Sequence, residues 1–364
     1  MKQSIQQRPS EEEYYTIANF IRSPKYDAHI HYHIFDDLFV HKAQKANMSL
    51  IAINTNFNYP PIEIQFQISQ ILHQRYPQSF NFIGTFDATA FASKTFVEDT
   101  VRHIKKSMAA GARGIKIWKN IGMALKNEAG QYIMADDPVF APIFAFLEKE
   151  NIPLLAHLGE PRDCWLPIEH MTLHTNQQYF SKNPEFHMYL HPEAPSYEQH
   201  IKTRDHLLER YPDLIFVGAH LGSMEWNFEE VARRLDRFPN FYVDLSAQFE
   251  HIYDQTIQDR NYVIDFFKTY QDRILYGSDI VVSLNNRRAW VNILCKFFPQ
   301  IYLNLLFRIK CQRIKKHWLF LATDKAIGTG RKSPKHIVGL KLPKQTVDRI
   351  FYGNIRRVYH HDTI

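Results

Sequence analysis

Three cysteines, Cys164, Cys295 and Cys311, are all the 364-residue chain has, and they are far apart and in no CxxC arrangement. That excludes a disulfide framework and a thiolate zinc site, and it fits a reducing, cytoplasmic setting. No GxSxG elbow is present, and no GxGxxG fingerprint opens a helix, so serine-hydrolase and dinucleotide readings have nothing to rest on. "GTGRKS" at 328–333 fails as a phosphate loop, because Gly and Lys are not adjacent before the serine and no strand precedes it. The opening "MKQSIQQRPSEEEYY" lacks the apolar core of a signal peptide. No uncharged apolar run approaches the roughly 18 residues of a spanning helix, so no transmembrane segment is expected.

Acid is missing from one long stretch. Between Asp279 and Asp324 there is no Asp or Glu, while Arg287, Arg288, Lys296, Arg308, Lys310, Arg313, Lys315 and Lys316 supply eight positive charges, more than the whole net charge of +6. The basic excess is therefore local to a segment near 285–316, and no nucleic-acid partner is expected from it. An anionic membrane surface or nucleic acid is the sharper reading of such a stretch. An outer helix whose lysine and arginine stems cover apolar surface is the commoner one, and is the expectation.

With 45% hydrophobic and 14% aromatic residues, the composition is that of a folded globular chain. Apolar runs bounded by turn signals predict strands near 26–30, 49–54, 81–86, 114–118, 153–157, 214–219, 241–245 and 273–276. Helical spacing predicts helices near 36–46, 61–76, 95–110, 138–150, 197–211, 226–238 and 255–269. Phrases such as "QRYPQSFNFIG", "KENIPLLAH" and "ERYPDLIFVGAH" stop a helix with Pro or Asn just before a short apolar strand. Eight such alternations predict an α/β fold, a closed (β/α)8 TIM barrel, with an open doubly wound sheet as the structural alternative. The expected organisation is a helical N-terminal extension over 1–24 and a single barrel domain over 25–364.

A barrel collects its chemistry at the C-terminal ends of its strands. Those ends read "DAHIHYH", "GIKIWKN", "LLAHLGEP", "FVGAHLGS", "YVDLSA" and "LYGSDIVV". Alternation points His29 and His31 into the barrel mouth, with Ala28 and Ile30 toward the helices. One HxH among 19 histidines is weak, but His157, His220 and Asp279 follow at later strand ends, and histidines with a carboxylate suit an open, catalytic divalent-metal site. Asp27 could orient a liganding histidine or accept hydrogen bonds beneath the barrel, and His33 falls in the following loop.

Taken in order, "YDAHIHYH", "IPLLAHLGEP", "FVGAHLGSMEW", "FYVDLSA", "ILYGSDIVV" and the closing "GLKLPKQTVDRIFYGNIRRVY" resemble the amidohydrolase superfamily, specifically its amidohydrolase-related branch of metal-dependent hydrolases and decarboxylases. The resemblance implies that His29, His31, His157 and Asp279 coordinate one divalent metal, zinc before manganese. It implies that His220 stays unligated to assist proton transfer and that Asp279 also accepts a proton from water. Lys116 stands where some members carry a carboxylated lysine bridging two metals; a substrate contact is the reading taken here, with a structural lysine as its rival.

The connection from Leu158 to Ser196 is too long for a plain barrel loop and is rich in aromatics. It is expected to form a lid over the metal, with Glu160, Arg162 and Trp165 nearest the substrate. Its distal half could instead serve a homo-oligomer contact. The function expected is hydrolysis of a C–N or C–O bond, in an amide, cyclic amide or lactone, of a small polar substrate. Non-oxidative decarboxylation of a small carboxylic acid is the main alternative, and a non-catalytic barrel acting as a binding protein is the other.

Overall fold

The computed structural model describes residues 13–57, 60–285, 289–329 and 334–360, with the side chains of 289, 290 and 360 left aside. Its core is a run of parallel strands: β1 (Lys25–Tyr32), β2 (Met48–Ile53), β3 (Phe80–Thr85), β4 (Ala112–Ile117), β5 (Leu154–Ala156), β6 (Phe216–Gly218), β7 (Phe241–Asp244), β8 (Ile274–Leu275) and β9 (Ile280–Val282). They pair in the order β8-β7-β6-β5-β4-β3-β2-β1-β9, every neighbour parallel. The curled sheet closes where Ala28 N–H donates to the carbonyl of Tyr276 at 3.1 Å and Asp279 N–H donates to that of His29 at 2.8 Å. The fold is the (β/α)8 barrel. The ninth strand, unforeseen in the sequence, is a short extension of the chain after β8 that lies against the mouth end of β1.

Strands covered on both faces must be apolar on both, and these are. One set of side chains, Leu50, Ala52, Phe82, Leu154, Phe216 and Ile274 among them, packs outward into the helical layer. The alternate set, Ile51, Ile53, Ile83, Leu155, Val217 and Leu275, fills the barrel with Ile355, Val358 and Tyr359 of the C-terminal helix. β1 departs from simple alternation. Tyr26 and Ala28 belong to the inner cluster and Ile30 to the outer one, and the β1–β2 register shifts between Asp27 and Ile30. Ala28 therefore does not face the helices as alternation predicts. The irregularity lets Ala28 pack inside the barrel and still aims His29 and His31 at its mouth.

Helices stand close to their predicted places, as in Ile62–Arg75, Phe96–Ala109, Tyr197–Arg210 and Phe228–Arg237. The helix expected over 255–269 is two, Phe249–Gln258 and Arg260–Thr269, parted at Asp259, whose carboxylate accepts from Tyr262 N–H as the N-cap of the second. In 158–196 the chain forms short 3-10 turns and one helix, His174–Lys182. The basic stretch folds as Ala289–Phe297 and Pro299–Ala322, the latter packing Phe307 on Phe39. Arg287 and Arg288 lie outside the described residues, as do residues 1–12 of the N-terminal extension, which otherwise holds one helical turn, Ile17–Phe20.

Candidate metal centre and active site

β1 delivers two imidazoles to the mouth, and their partners come from the far half of the chain. His29, fully buried, has Nδ1 2.7 Å from Asp244 Oδ2 at the end of β7. A carboxylate there holds the proton on Nδ1 and leaves the Nε2 lone pair facing the site. That Nε2 lies 3.7 Å from Asp279 Oδ1 and 3.2 Å from Lys116 Nζ. His31 Nε2 is 3.3 Å from the same Asp279 oxygen. His29, His31 and Asp279 can each present a ligand atom within 4.8 Å of the others, the spacing a single ion needs.

His220 follows β6 in a left-handed turn. His220, Leu221 and Ser223 all have φ near +60°, at 58°, 57° and 59°. Such backbone is costly and persists only where its surroundings hold it. Here Asp244 Oδ1 accepts from His220 N–H, Ser223 Oγ donates to the Leu158 carbonyl, and Tyr197 OH donates to the Ser223 carbonyl. His220 Nδ1 donates to the carbonyl of Ser246 at 2.8 Å, so its Nε2 is again the free nitrogen. Its ring centre stands 5.2 Å from that of His29 and 4.3 Å from that of His157. His157 Nε2 is buried with no hydrogen-bond partner, 3.6 Å from Glu160 Oε2, which is too far for a bond.

Electrostatics suit neutral donors around one acid. Burial, helped by the Lys116 charge, lowers His29 to about 4 against the pull of Asp244. Burial and the neighbouring His220 lower His157 to about 3. Burial alone would raise Asp279, but the hydrogen bond from His31 and the surrounding imidazoles hold its carboxyl well below the usual range. Burial brings Lys116 down to about 8. Asp279 sits at φ 56°, in the left-handed region, on a loop clamped to β1: Asp27 accepts from Ser278 N–H at 2.9 Å and from the Ser278 hydroxyl. Gly277 completes the clamp, since a Cβ there would lie 2.6 Å from His29 Cβ.

Residues 84–360 match the family described as Amidohydrolase. The chain belongs to that family. Among solved structures it is similar to the 2,6-dihydroxybenzoate decarboxylase from Rhizobium, with TM-score 0.51 and 13% identity over 94% of this chain and 100% of that one. An uncharacterized TIM-barrel protein from Bordetella bronchiseptica is 17% identical, with TM-score 0.47, over 88% of this chain and 81% of its own. A 4-oxalomesaconate hydratase from Rhodopseudomonas palustris is 14% identical, with TM-score 0.46, over 89% and 80%. At such identities the likeness speaks for the barrel and not for a reaction. No curated protein matches the chain.

The family match begins at Gly84, after His29 and His31, so in this amidohydrolase the HxH joins the site through geometry alone. Four residues of the sequence reading meet at the mouth: His29, His31, Asp279 and, beside His29, Lys116. His157 and His220 form an adjoining pair. Glu160 forms an ion pair with Lys119, which overrides the cost of burial and brings its carboxyl down to about 2. The Arg162 guanidinium lies 4.3 Å over the ring of Trp226, and Trp165 packs on Tyr197 and His200 while its indole N–H donates to the Pro195 carbonyl. Asp244, Ser246 and Ser278 went unassigned in the sequence, although "YVDLSA" and "LYGSDIVV" stand at strand ends. Asp27 does not touch the His29 ring; it holds the loop that carries Asp279.

Glu225 was also missed. It is fully buried, Oε1 accepts Arg162 N–H at 2.9 Å, and Oε2 has no partner. Burial raises its carboxyl from 4.5 to about 8, so it is protonated at neutral pH. Because the folded value is the higher one, the stabilisation it contributes is complete below 4.5 and is lost as pH rises through about 8. Glu225→Gln should flatten that loss. Thermal melts taken between about pH 5 and pH 9 should show the wild type falling more steeply, by on the order of 1 kcal/mol per pH unit. Parallel curves would remove Glu225 as the cause.

Proposed function

We propose that this amidohydrolase is a mononuclear metal-dependent hydrolase of a C–N or C–O bond in a small polar substrate. The observation that carries the reading is the shared orientation of His29 and His220: each ties Nδ1 to a fixed acceptor and turns Nε2 toward the mouth, that of His29 beside Lys116 Nζ. The donor set fits a divalent cation. His29, His31 and Asp279 would hold it; His157 lies outside that group, beside His220, and its buried, unpartnered Nε2 makes it the candidate fourth ligand. Imidazole and carboxylate suit zinc first and manganese second. Bound there, the cation supplies Lewis acidity and lowers the pKa of water.

The chain's own residues do the rest. Asp279, kept ionised, accepts the proton of the attacking water. His220, held by Ser246 and presenting an unprotonated Nε2, takes up the proton released by the water and delivers it to the leaving group. Lys116 offers a buried amine to a substrate oxygen, and Glu160, Arg162 and Trp165 of the long 158–196 segment form a lid beside it. Decarboxylation is the second reading, favoured by Lys116, which beside His29 could serve as a counter-charge for a substrate carboxylate.

Metal analysis by mass spectrometry, on protein purified without added metal or chelator, is the test. About one zinc or manganese per chain is expected, absent from His29→Ala/His31→Ala. Lactones, amides and aromatic acids should then be screened for hydrolysis against carbon dioxide release. Protein that takes up no metal even after reconstitution would end both readings and leave the non-catalytic binding protein ahead.

A further inference from the structure

The stretch without acid leaves apolar surface that the barrel does not cover. Helix Pro299–Ala322 buries Tyr302, Leu303, Ile314, Trp318 and its last residues against the fold. Its outer face is different. Ile293, Phe297, Phe298, Ile301, Leu305 and Ile309 are each between 46% and 63% exposed. Ile301, Leu305 and Ile309 recur every fourth residue and so share one face of the helix, while Ile293, Phe297 and Phe298 extend that stripe around the turn from helix Ala289–Phe297. Six large apolar side chains in one strip are more than scattered surface residues, and such a patch marks something that covers it.

Charge decides what that is. Lys296 and Arg308 are exposed within the stripe, and neither has a carboxylate partner among the described residues. A second copy docked face to face would set these cations against their own images, with no acid between Asp279 and Asp324 to pair them. A nucleic acid would pair with the cations and leave the aliphatic stripe uncovered. An anionic bilayer takes both, the phenylalanine and isoleucine side chains entering the acyl boundary and the cations meeting the headgroups. No helix among the described residues is long and apolar enough to cross a membrane, so the contact is peripheral.

We propose that the face running from Ile293 to Ile309 docks this protein on an anionic lipid surface. The stripe begins at the rim of the barrel mouth: Gln300 Nε2 donates to Asp36 Oδ2 at 2.6 Å, in the loop after β1, where Phe35 is also exposed. Docking therefore sets the open end of the barrel beside the bilayer. The inference does not depend on which reaction the metal centre runs.

Cosedimentation of the full chain with vesicles tests it. Phosphatidylcholine vesicles containing phosphatidylserine should retain the protein, pure phosphatidylcholine should not, and high salt should release it. Lys296→Glu/Arg308→Glu should weaken retention at least about thirtyfold, and Phe297→Ser/Ile301→Ser about tenfold or more. All four positions are exposed, so thermal melts of both variants should match the wild type. Absence of retention, equal retention on both kinds of vesicle, or retention that neither variant reduces would overturn the proposal. So would a dimer in sedimentation velocity that Phe297→Ser/Ile301→Ser abolishes, which would make the stripe a contact between copies.

Discussion

Asp279→Asn should lower kcat by about a thousandfold. Asparagine tolerates the left-handed backbone that Asp279 adopts, and its N–H can still donate to the His29 carbonyl, so the mouth should keep its shape. What disappears is the negative charge beside His31 and the ability to take a proton from water. The measurement is steady-state turnover of whichever substrate the hydrolysis and decarboxylation screens return, with metal content and melting temperature followed in parallel. A metal-loaded, normally melting Asn variant that keeps activity within about tenfold would remove Asp279 as the proton acceptor.

Asp244→Ala should be the most damaging substitution away from the reacting atoms. One carboxylate there accepts from the His29 ring through Oδ2, and through Oδ1 from His220 N–H, Ser246 N–H and the Ser246 hydroxyl. Burial would raise its pKa, yet His29 and the other donors hold it below the usual carboxylate range. Losing a buried, fully bonded carboxylate costs about 3–5 kcal/mol of stability. If His29 is a ligand, as proposed, losing the acceptor that fixes its imidazole should weaken metal binding by about 10–100-fold. Denaturant melts and competition with a metal chelator read the two effects separately. Asp244→Asn should recover stability before affinity, because an amide restores acceptors for the backbone donors but not the charge that sets the His29 tautomer. Wild-type melting with unchanged metal affinity in the Ala variant would show that Asp244 orients nothing.

Legibility of the site followed distance along the chain. That His29, His31, His157, His220, Lys116 and Asp279 would gather at the mouth was readable because each stands at the end of a local apolar run, and a barrel sends all such ends to one mouth. Asp244 and Ser246 stood at such an end too. Their importance comes from His29, more than two hundred residues earlier, and no local pattern reports that pairing. Ser278 and Glu225 matter for the same reason, through Asp27 and Arg162. The β1 irregularity was hidden differently: alternation is a rule for straight strands, and barrel closure bends this one between Asp27 and Ile30.

By itself, then, the sequence determined the order of eight strands and their helices, the closed barrel, and the types of side chain at its mouth, because periodicity and turn chemistry are local properties. Only the tertiary structure decided which way Ala28 packs, which nitrogen of His29 and His220 faces the mouth, and which side of the basic helix is left uncovered. Those outcomes depend on residues brought together by closure of the sheet, and closure is a property of the whole chain rather than of any segment of it.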